Sequence, residues 1–235
     1  MTVPIRDAAT VILLRDGAAG FEAWLLTRVA QMAFAAGMTV FPGGRVEESD
    51  ASLPWAGTPP DDATLVGAAV RETFEETGVL LGGPALDLRA ARADVEAGRV
   101  SFGQLLREHG VDVDASTLRP WARWVTPEGE SRRYDTRFFV AALPDGAEPA
   151  DVTSEAARAG WVNAAEALAE HDRGERRMLP PTLVNLRAIA EHDSVAAVIA
   201  AAPDRSLVPI HPVLRIDDDG VRIELPDGST HRMGR

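Results

Sequence analysis

Short apolar segments separated by turn residues open the chain and predict a β-hairpin. The run AATVILL (residues 8–14) favours a strand, RDGAAG supplies a turn, and FEAWLLTR (residues 21–28) returns as a second strand. Two later runs, RPWARWVTP and RYDTRFFVAAL, also predict strands, and RAGWV predicts a short one. Near the C-terminus, VLRIDDDGVRIELPDG predicts a further hairpin with an Asp-Gly turn.

Helical patterns occupy much of the remaining chain. The segment ATLVGAAVRETFEET predicts a helix that Asp61 or Asp62 can cap and that Gly78 can end. Residues 86–109 predict two shorter helices, and NAAEALAEHDRG, PPTLVNLRAIAEH and SVAAVIAAA predict three more. No long low-complexity linker divides these elements. The pattern therefore predicts one α/β domain over residues 1–235, with a mixed sheet and added helices.

Composition narrows the classes of function. The 235 residues carry a formal net charge of −12, which argues against non-specific binding to a nucleic-acid polymer or to anionic lipid. The absence of cysteine excludes disulfides, thiolate nucleophiles and zinc–cysteine sites. The apolar runs are too short to span a membrane, and the N-terminus does not resemble a secretory signal. We therefore expect a cytoplasmic protein without a membrane partner.

Three carboxylates crowd one short stretch of the predicted helix, RETFEETG. Glu75 and Glu76 follow Glu72 by three and four residues, so all three side chains project from one helix face. Like charges at this spacing destabilise a helix. The cluster is therefore either a solvated acidic helix face or a site at which the charge is compensated. Binding protons or hard divalent cations compensates such a cluster, and Arg71, four residues before Glu75, can orient one carboxylate.

The surrounding pattern, FPGGRVEESD followed by AAVRETFEETGVLL, resembles the Nudix box, here residues 44–79. That signature is Gly, five residues, Glu, seven residues, then Arg-Glu-aliphatic-any-Glu-Glu-any-Gly-aliphatic. Asp50 stands where the signature has its first glutamate, Thr73 takes an aliphatic position, and twenty residues separate Asp50 from Arg71. The extra segment, near residues 51–63, is rich in proline and polar residues and suits a surface loop.

The interrupted box is similar to that of the Nudix branch that includes the peroxisomal coenzyme A diphosphatases of animals. This resemblance implies a Nudix-like α/β/α sandwich, to which the sequence pattern adds a helical insertion near residues 86–110 and a helical and hairpin extension near residues 178–235. It also implies an enzyme that uses Mg²⁺ or Mn²⁺ to hydrolyse a nucleoside diphosphate linked to another group. A small-molecule diphosphate is then the expected partner, and a homodimer is possible at the family level.

The resemblance also implies roles for individual residues. Glu72, Glu75, Glu76 and the Gly43 carbonyl would be metal ligands, and Arg71 would orient the glutamates. Glu155 lies six residues before Trp161, where the family often places a further acidic ligand or base, although a solvated loop carboxylate is an equal alternative.

Three arginines are candidates for contacting phosphate, because a guanidinium matches phosphate oxygens. They are Arg28, Arg132 and Arg133. The stretch LLTR, followed by Gly37, partly matches the coenzyme A-linked Nudix pattern, but Ala33 stands near an expected arginine. RRYDTRFF is alternatively a structural corner in which Asp135 pairs with an arginine.

Two classes of function therefore stay open. Some proteins with this fold bind nucleotides as inactive sensors, and a sensor does not need three metal-binding carboxylates. Retention of all three favours an enzyme.

Overall fold

The computed structural model describes residues 3–18, 20–29, 35–84, 86, 88–150, 156–217 and 220–233. The strands are β1 Ile5–Gly17, β2 Gly20–Arg28, β3 Thr39–Val40, β4 Gly43–Arg45, β5 Arg119–Val125, β6 Arg133–Ala142, β7 Ala156–Asn163, β8 Val213–Asp217, β9 Gly220–Glu224 and β10 Thr230–Met233. The helices are α1 Ala63–Thr77, α2 Arg89–Glu96, α3 Phe102–Glu108, α4 Ala164–Asp172, α5 Pro180–Ala190 and α6 Val195–Ala201.

A mixed sheet forms the centre of the molecule. Its strand order is β3-β2-β1-β6-β5, with β4 paired to β1 and β7 paired to β2. The pairing of β1 with β6 is parallel, whereas β1 pairs antiparallel with β2 and β4. The predicted mixed sheet is confirmed, and β4 lies beside the N-terminal half of β1.

Side chains of β1 alternate between two hydrophobic cores, because successive residues of a strand point to opposite faces of the sheet. Val11 and Leu13 belong to a core with the buried residues of α1, α2 and α3. Ile12 and Leu14 belong to a second core with residues of α4, α5 and α6. Helices therefore cover both faces, which confirms the predicted α/β/α sandwich.

The C-terminal extension contains one strand more than the sequence predicts. β8 and β9 form the predicted hairpin, and β10 adds a third antiparallel strand. A proline and a DGST turn precede β10, and the four residues of β10 contain too few β-branched or aromatic residues to predict a strand. In the predicted Asp-Gly turn, residue 219 lies outside the described residues, and Gly220 begins β9.

Helix α1 begins and ends where the sequence predicts. Gly78 ends it in the left-handed conformation, with φ of 75°, and donates its backbone N–H to the Phe74 carbonyl. Asp62 occupies the N-cap position without a side-chain capping hydrogen bond. Its carboxylate instead pairs with Arg137 of β6, 3.2 Å away, so a tertiary contact replaces the predicted cap.

Candidate active site

Helix α1 and strand β4 together form the candidate site. The buried residues of α1 pack on β1, which leaves the glutamate face toward β4 and the adjoining solvent. The backbone N–H of Gly43 donates to Glu76 Oε2 at 2.8 Å. The two predicted site segments, FPGG and RETFEETG, therefore lie in direct contact although 33 residues separate the bonded groups.

Two glycines permit this close approach. A Cβ on Gly44 would lie 2.4 Å from Glu72 Oε1, so a larger residue there would displace the Glu72 carboxylate. A Cβ on Gly43 would lie 2.4 Å from the Ala9 carbonyl oxygen, in the neighbouring strand. Glycine at both positions lets β4 pair with β1 and still lie against the carboxylates of α1.

Arg71 is buried at the centre of the cluster, and all of its donors are used. Its Nε and Nη2 donate to the two oxygens of Asp50, at 2.7 and 3.1 Å, and Nη2 also donates to the Arg45 carbonyl at 2.8 Å. Its Nη1 donates to Glu72 at 2.9 Å and to Glu75 at 3.3 Å. These five hydrogen bonds match the five N–H groups of a guanidinium, so Arg71 fixes the orientation of both glutamates.

Asp50 is positioned by a short 3₁₀ helix, Glu48–Ser52, that precedes the extra segment of the box. Its carboxylate, 1 % exposed, accepts the Glu47 backbone N–H at 2.7 Å as well as the two bonds from Arg71. A Cβ on Gly67 would lie 2.2 Å from the Asp50 carbonyl oxygen, so glycine lets the 3₁₀ helix contact α1 closely. Asp50 thus reaches Arg71 across the twenty intervening residues.

The electrostatics of the cluster follow from burial and charge. Burial lowers the pKa of Arg71, but the hydrogen bond with Asp50 and the attraction of nearby carboxylates outweigh it, so this pKa lies above its ordinary value. Burial raises the pKa of Glu72 to about 7, despite the attraction of Arg71, and Glu75 raises it further. Burial also raises the pKa of Glu75. One guanidinium does not neutralise this many carboxylates.

The donor set fits a hard divalent cation. Mg²⁺ and Mn²⁺ prefer oxygen ligands, and a bound cation would favour the charged form of Glu72, whose pKa burial raises. Within the described part of the chain, no three acidic or histidine side chains already converge on one point. Glu72 and Glu75 accept hydrogen bonds from Arg71, and Glu76 accepts one from the Gly43 backbone N–H, so hydrogen bonds orient all three carboxylates.

The predicted arginines lie on or next to strands β2 and β6. Glu155 falls in residues 151–155, outside the described residues. Arg28 ends β2, and its backbone pairs with Gly37 and Met38. Arg132 is exposed, and Arg133 Nε donates to the Thr126 carbonyl at 3.1 Å, on the side of β1 opposite to β4.

A structural corner does exist beside these arginines. Asp135 accepts two hydrogen bonds from Arg123, at 2.9 and 2.6 Å, and this contact lowers the pKa of Asp135. The partner is an arginine of β5, not Arg132 or Arg133.

Sequence reasoning missed three residues that build the site. It assigned no role to Asp50 as the partner of Arg71, or to Gly67 beneath the 3₁₀ helix. It also missed Arg92 of α2, which is buried and donates to the Glu75 carbonyl at 2.6 Å. The position of Asp50 within the box pattern was a usable signal, whereas Gly67 and Arg92 carry none that is visible locally.

Comparison with known proteins agrees with this geometry. A family model described as the NUDT19 Nudix domain matches residues 56–189. The chain is 27% identical to acyl-coenzyme A diphosphatase NUDT19 of Gallus gallus, over 86% of this chain and 72% of the relative. It is 26% identical to the protein of that name in Homo sapiens, over 89% of this chain and 72% of the relative.

A solved structure supports the same assignment. The crystal structure of a Nudix hydrolase from Alicyclobacillus acidocaldarius is 30% identical, with a TM-score of 0.76. The match covers 89% of this chain and 100% of that chain. The similarity therefore includes most of the additions to the central sheet as well as the sheet itself.

Proposed function

The chain belongs to the Nudix hydrolase family of the NUDT19 Nudix domain, as a diphosphatase, and from that premise we propose that it cleaves coenzyme A-type diphosphates with Mg²⁺ or Mn²⁺. The observation that carries the proposal is the arrangement of Glu72, Glu75 and Glu76 on one face of α1. Arg71 orients two of them, and Gly43 of β4 holds the third. ADP-ribose or dinucleotide-type diphosphates are the second substrate class.

The residues of the cluster have distinct roles in this proposal. Glu72, Glu75 and Glu76 would hold the divalent ions, together with the Gly43 carbonyl. When bound, such ions neutralise diphosphate oxygens, lower the pKa of an attacking water and stabilise the leaving group. Arg71 is a positioning residue, because its N–H groups are already engaged by Asp50, Arg45 and the glutamates.

Charge explains why an acidic protein needs such a site. A net charge of −12 repels an anionic diphosphate, so a local concentration of cations has to reverse the field at the cluster. Positioning and electrostatic stabilisation supply most of the rate enhancement in phosphoryl chemistry. The proposal therefore assigns no covalent nucleophile to the protein.

Some parts of the proposal rest on the sequence pattern alone. Glu155 as a further base or ligand, and Arg28, Arg132 and Arg133 as phosphate contacts, stay predictions. The domain boundaries, a homodimer and a cytoplasmic location also stay predictions. Among the described residues, no helix has the length and apolar character needed to cross a membrane.

The test is product analysis across a panel of diphosphates with Mg²⁺, with Mn²⁺ and with a chelator. The panel contains coenzyme A, an acyl-coenzyme A, NADH, ADP-ribose and diadenosine polyphosphates. We expect metal-dependent cleavage of the coenzyme A compounds, lost in Glu75→Gln and kept in Glu166→Gln, an exposed position on α4. Equal inactivity of the wild type and both variants across the panel would instead support a nucleotide-binding module.

A further inference from the structure

A cleft lies between the box and the helical insertion formed by α2 and α3. It is open to solvent and has a volume of about 190 Å³. Its walls come from the 3₁₀ helix before the box insertion, from α1, and from the segment joining α2 to α3. The described lining residues are Glu47, Ser49, Arg71, Glu75, Val95, Gly98, Val100, Ser101 and Phe102.

The insertion is fixed to the box by contacts at both of its helices. In α2, Arg92 Nε donates to the Glu75 carbonyl at 2.6 Å. In α3, the Phe102 ring packs on Phe74 of α1 with ring centroids 5.3 Å apart, and Arg107 donates to the Ser52 carbonyl. The far wall of the cleft is therefore held in a defined position relative to the glutamate cluster, as a binding site requires.

The cleft adjoins the candidate active site and shares two residues with it. Arg71 and Glu75 line the cleft, and Glu75 is one of the proposed metal ligands. A substrate whose diphosphate lies on the glutamates can therefore extend one of its two halves directly into the cleft. With a volume near 190 Å³, the cleft is smaller than the roughly 300–1,000 Å³ of pockets that hold a whole ligand, so it suits a part of the substrate.

The charges of the lining residues decide which half of the substrate the cleft can bind. Among the described lining residues Arg71 is the one cation, and its five N–H groups already have acceptors, so it cannot take an additional phosphate without losing a bond. Glu75 would be occupied by a metal ion, whereas Glu47 is not a proposed metal ligand and adds negative charge to the cleft. A second phosphate, such as the one on the nucleotide half of coenzyme A, would be repelled here.

The other lining groups suit a neutral chain with both polar and apolar parts. Ser49 and Ser101 carry hydroxyls, while Val95, Val100 and Phe102 present apolar surface. Resting on the proposed function, we infer that this cleft binds the pantetheine-type arm of the substrate, an uncharged chain of amide and methylene groups ending in a thiol or thioester. The helical insertion then determines specificity for the group beyond the diphosphate.

Binding of the isolated arm tests this inference directly. Pantetheine, which has no phosphate, is titrated into the 235-residue protein and followed by NMR. We expect saturable binding in the millimolar range, as a small neutral ligand allows. Val100→Trp and Ser49→Trp fill the cleft from opposite walls and should weaken this binding by roughly tenfold or more, the scale of a filled pocket. Ala93→Trp, exposed on α2 outside the cleft lining, is the matched control and should bind normally.

Kinetics provide a second readout. Val100→Trp should raise KM for an acyl-coenzyme A and leave KM for ADP-ribose, which lacks the arm, nearly unchanged. An equal rise for both substrates would mean that the cleft holds their shared nucleotide half and would overturn the inference. So would pantetheine that fails to bind, or that binds equally to the filled variants. A wild type that binds pantetheine but cleaves no diphosphate would refute the proposed function alone.

Discussion

The pair formed by Asp50 and Arg71 offers the sharpest test of how the site is built. Both side chains are buried, with exposures of 1% and 6%, and two hydrogen bonds join them. Asp50→Asn would remove the most deeply buried of the three carboxylates that pair with Arg71, leaving only the part-buried Glu72 and Glu75, and would turn an NH₂ group toward N–H donors. Removing one partner of a buried ion pair typically costs about 3–5 kcal/mol. For a domain of this size, each kcal/mol lowers Tm by roughly 2–4 °C, so we expect a fall of about 6–20 °C.

Asp62→Asn is the matched control. Asp62 also pairs with an arginine, Arg137, but its side chain is 50% exposed. An exposed pair contributes about 0–1 kcal/mol, so this variant should melt within a few degrees of the wild type. Both variants are compared by urea and thermal unfolding in a chelator. If Asp50→Asn costs no more than Asp62→Asn, the reasoning that Asp50 compensates a buried charge is wrong.

The remaining predictions concern the glutamates and the glycine beside them. Glu76→Gln should lower kcat at least about 100-fold, because it removes a metal ligand rather than a residue that only supports one. The Tm measured in chelator should stay near that of the wild type, because the amide oxygen still accepts the Gly43 backbone N–H. A large fall in metal-free Tm would contradict this. Gly44→Ala should displace the Glu72 carboxylate and reduce the affinity for metal, measured by calorimetry. Gly160→Ala, with open space around its Cβ, should leave that affinity unchanged. Equal affinities in the two variants would argue against the close contact between Gly44 and Glu72. The free energy of unfolding of the metal-free protein should fall as pH rises from about 4.5 to about 7, because Glu72 keeps its proton in the folded state and loses it in the unfolded state. The fall is at most about 3 kcal/mol. Urea unfolding at both pH values measures it, and an unchanged slope in Glu72→Gln would refute the assignment.

Local signals in the sequence predicted the helices and strands and the cluster of carboxylates. Helix α1 is delimited by Gly78, and its 3.6-residue period alone places Glu72, Glu75 and Glu76 on one face. The short apolar runs of β1, β2 and β6, rich in β-branched or aromatic residues, need no knowledge of distant residues. Such signals lie within a few residues of one another, so they are readable directly from the chain.

Tertiary structure alone decided which distant groups complete the site. Asp50 compensates Arg71 across 21 positions because Gly67 admits the backbone of the 3₁₀ helix, and Arg92 fixes the helical insertion to α1. Both contacts depend on where loops return the chain, and loop closure leaves no periodic pattern in the sequence. Local periodicity thus specified the ligands of the proposed metal site, whereas long-range packing specified their orientation and the cleft beside them.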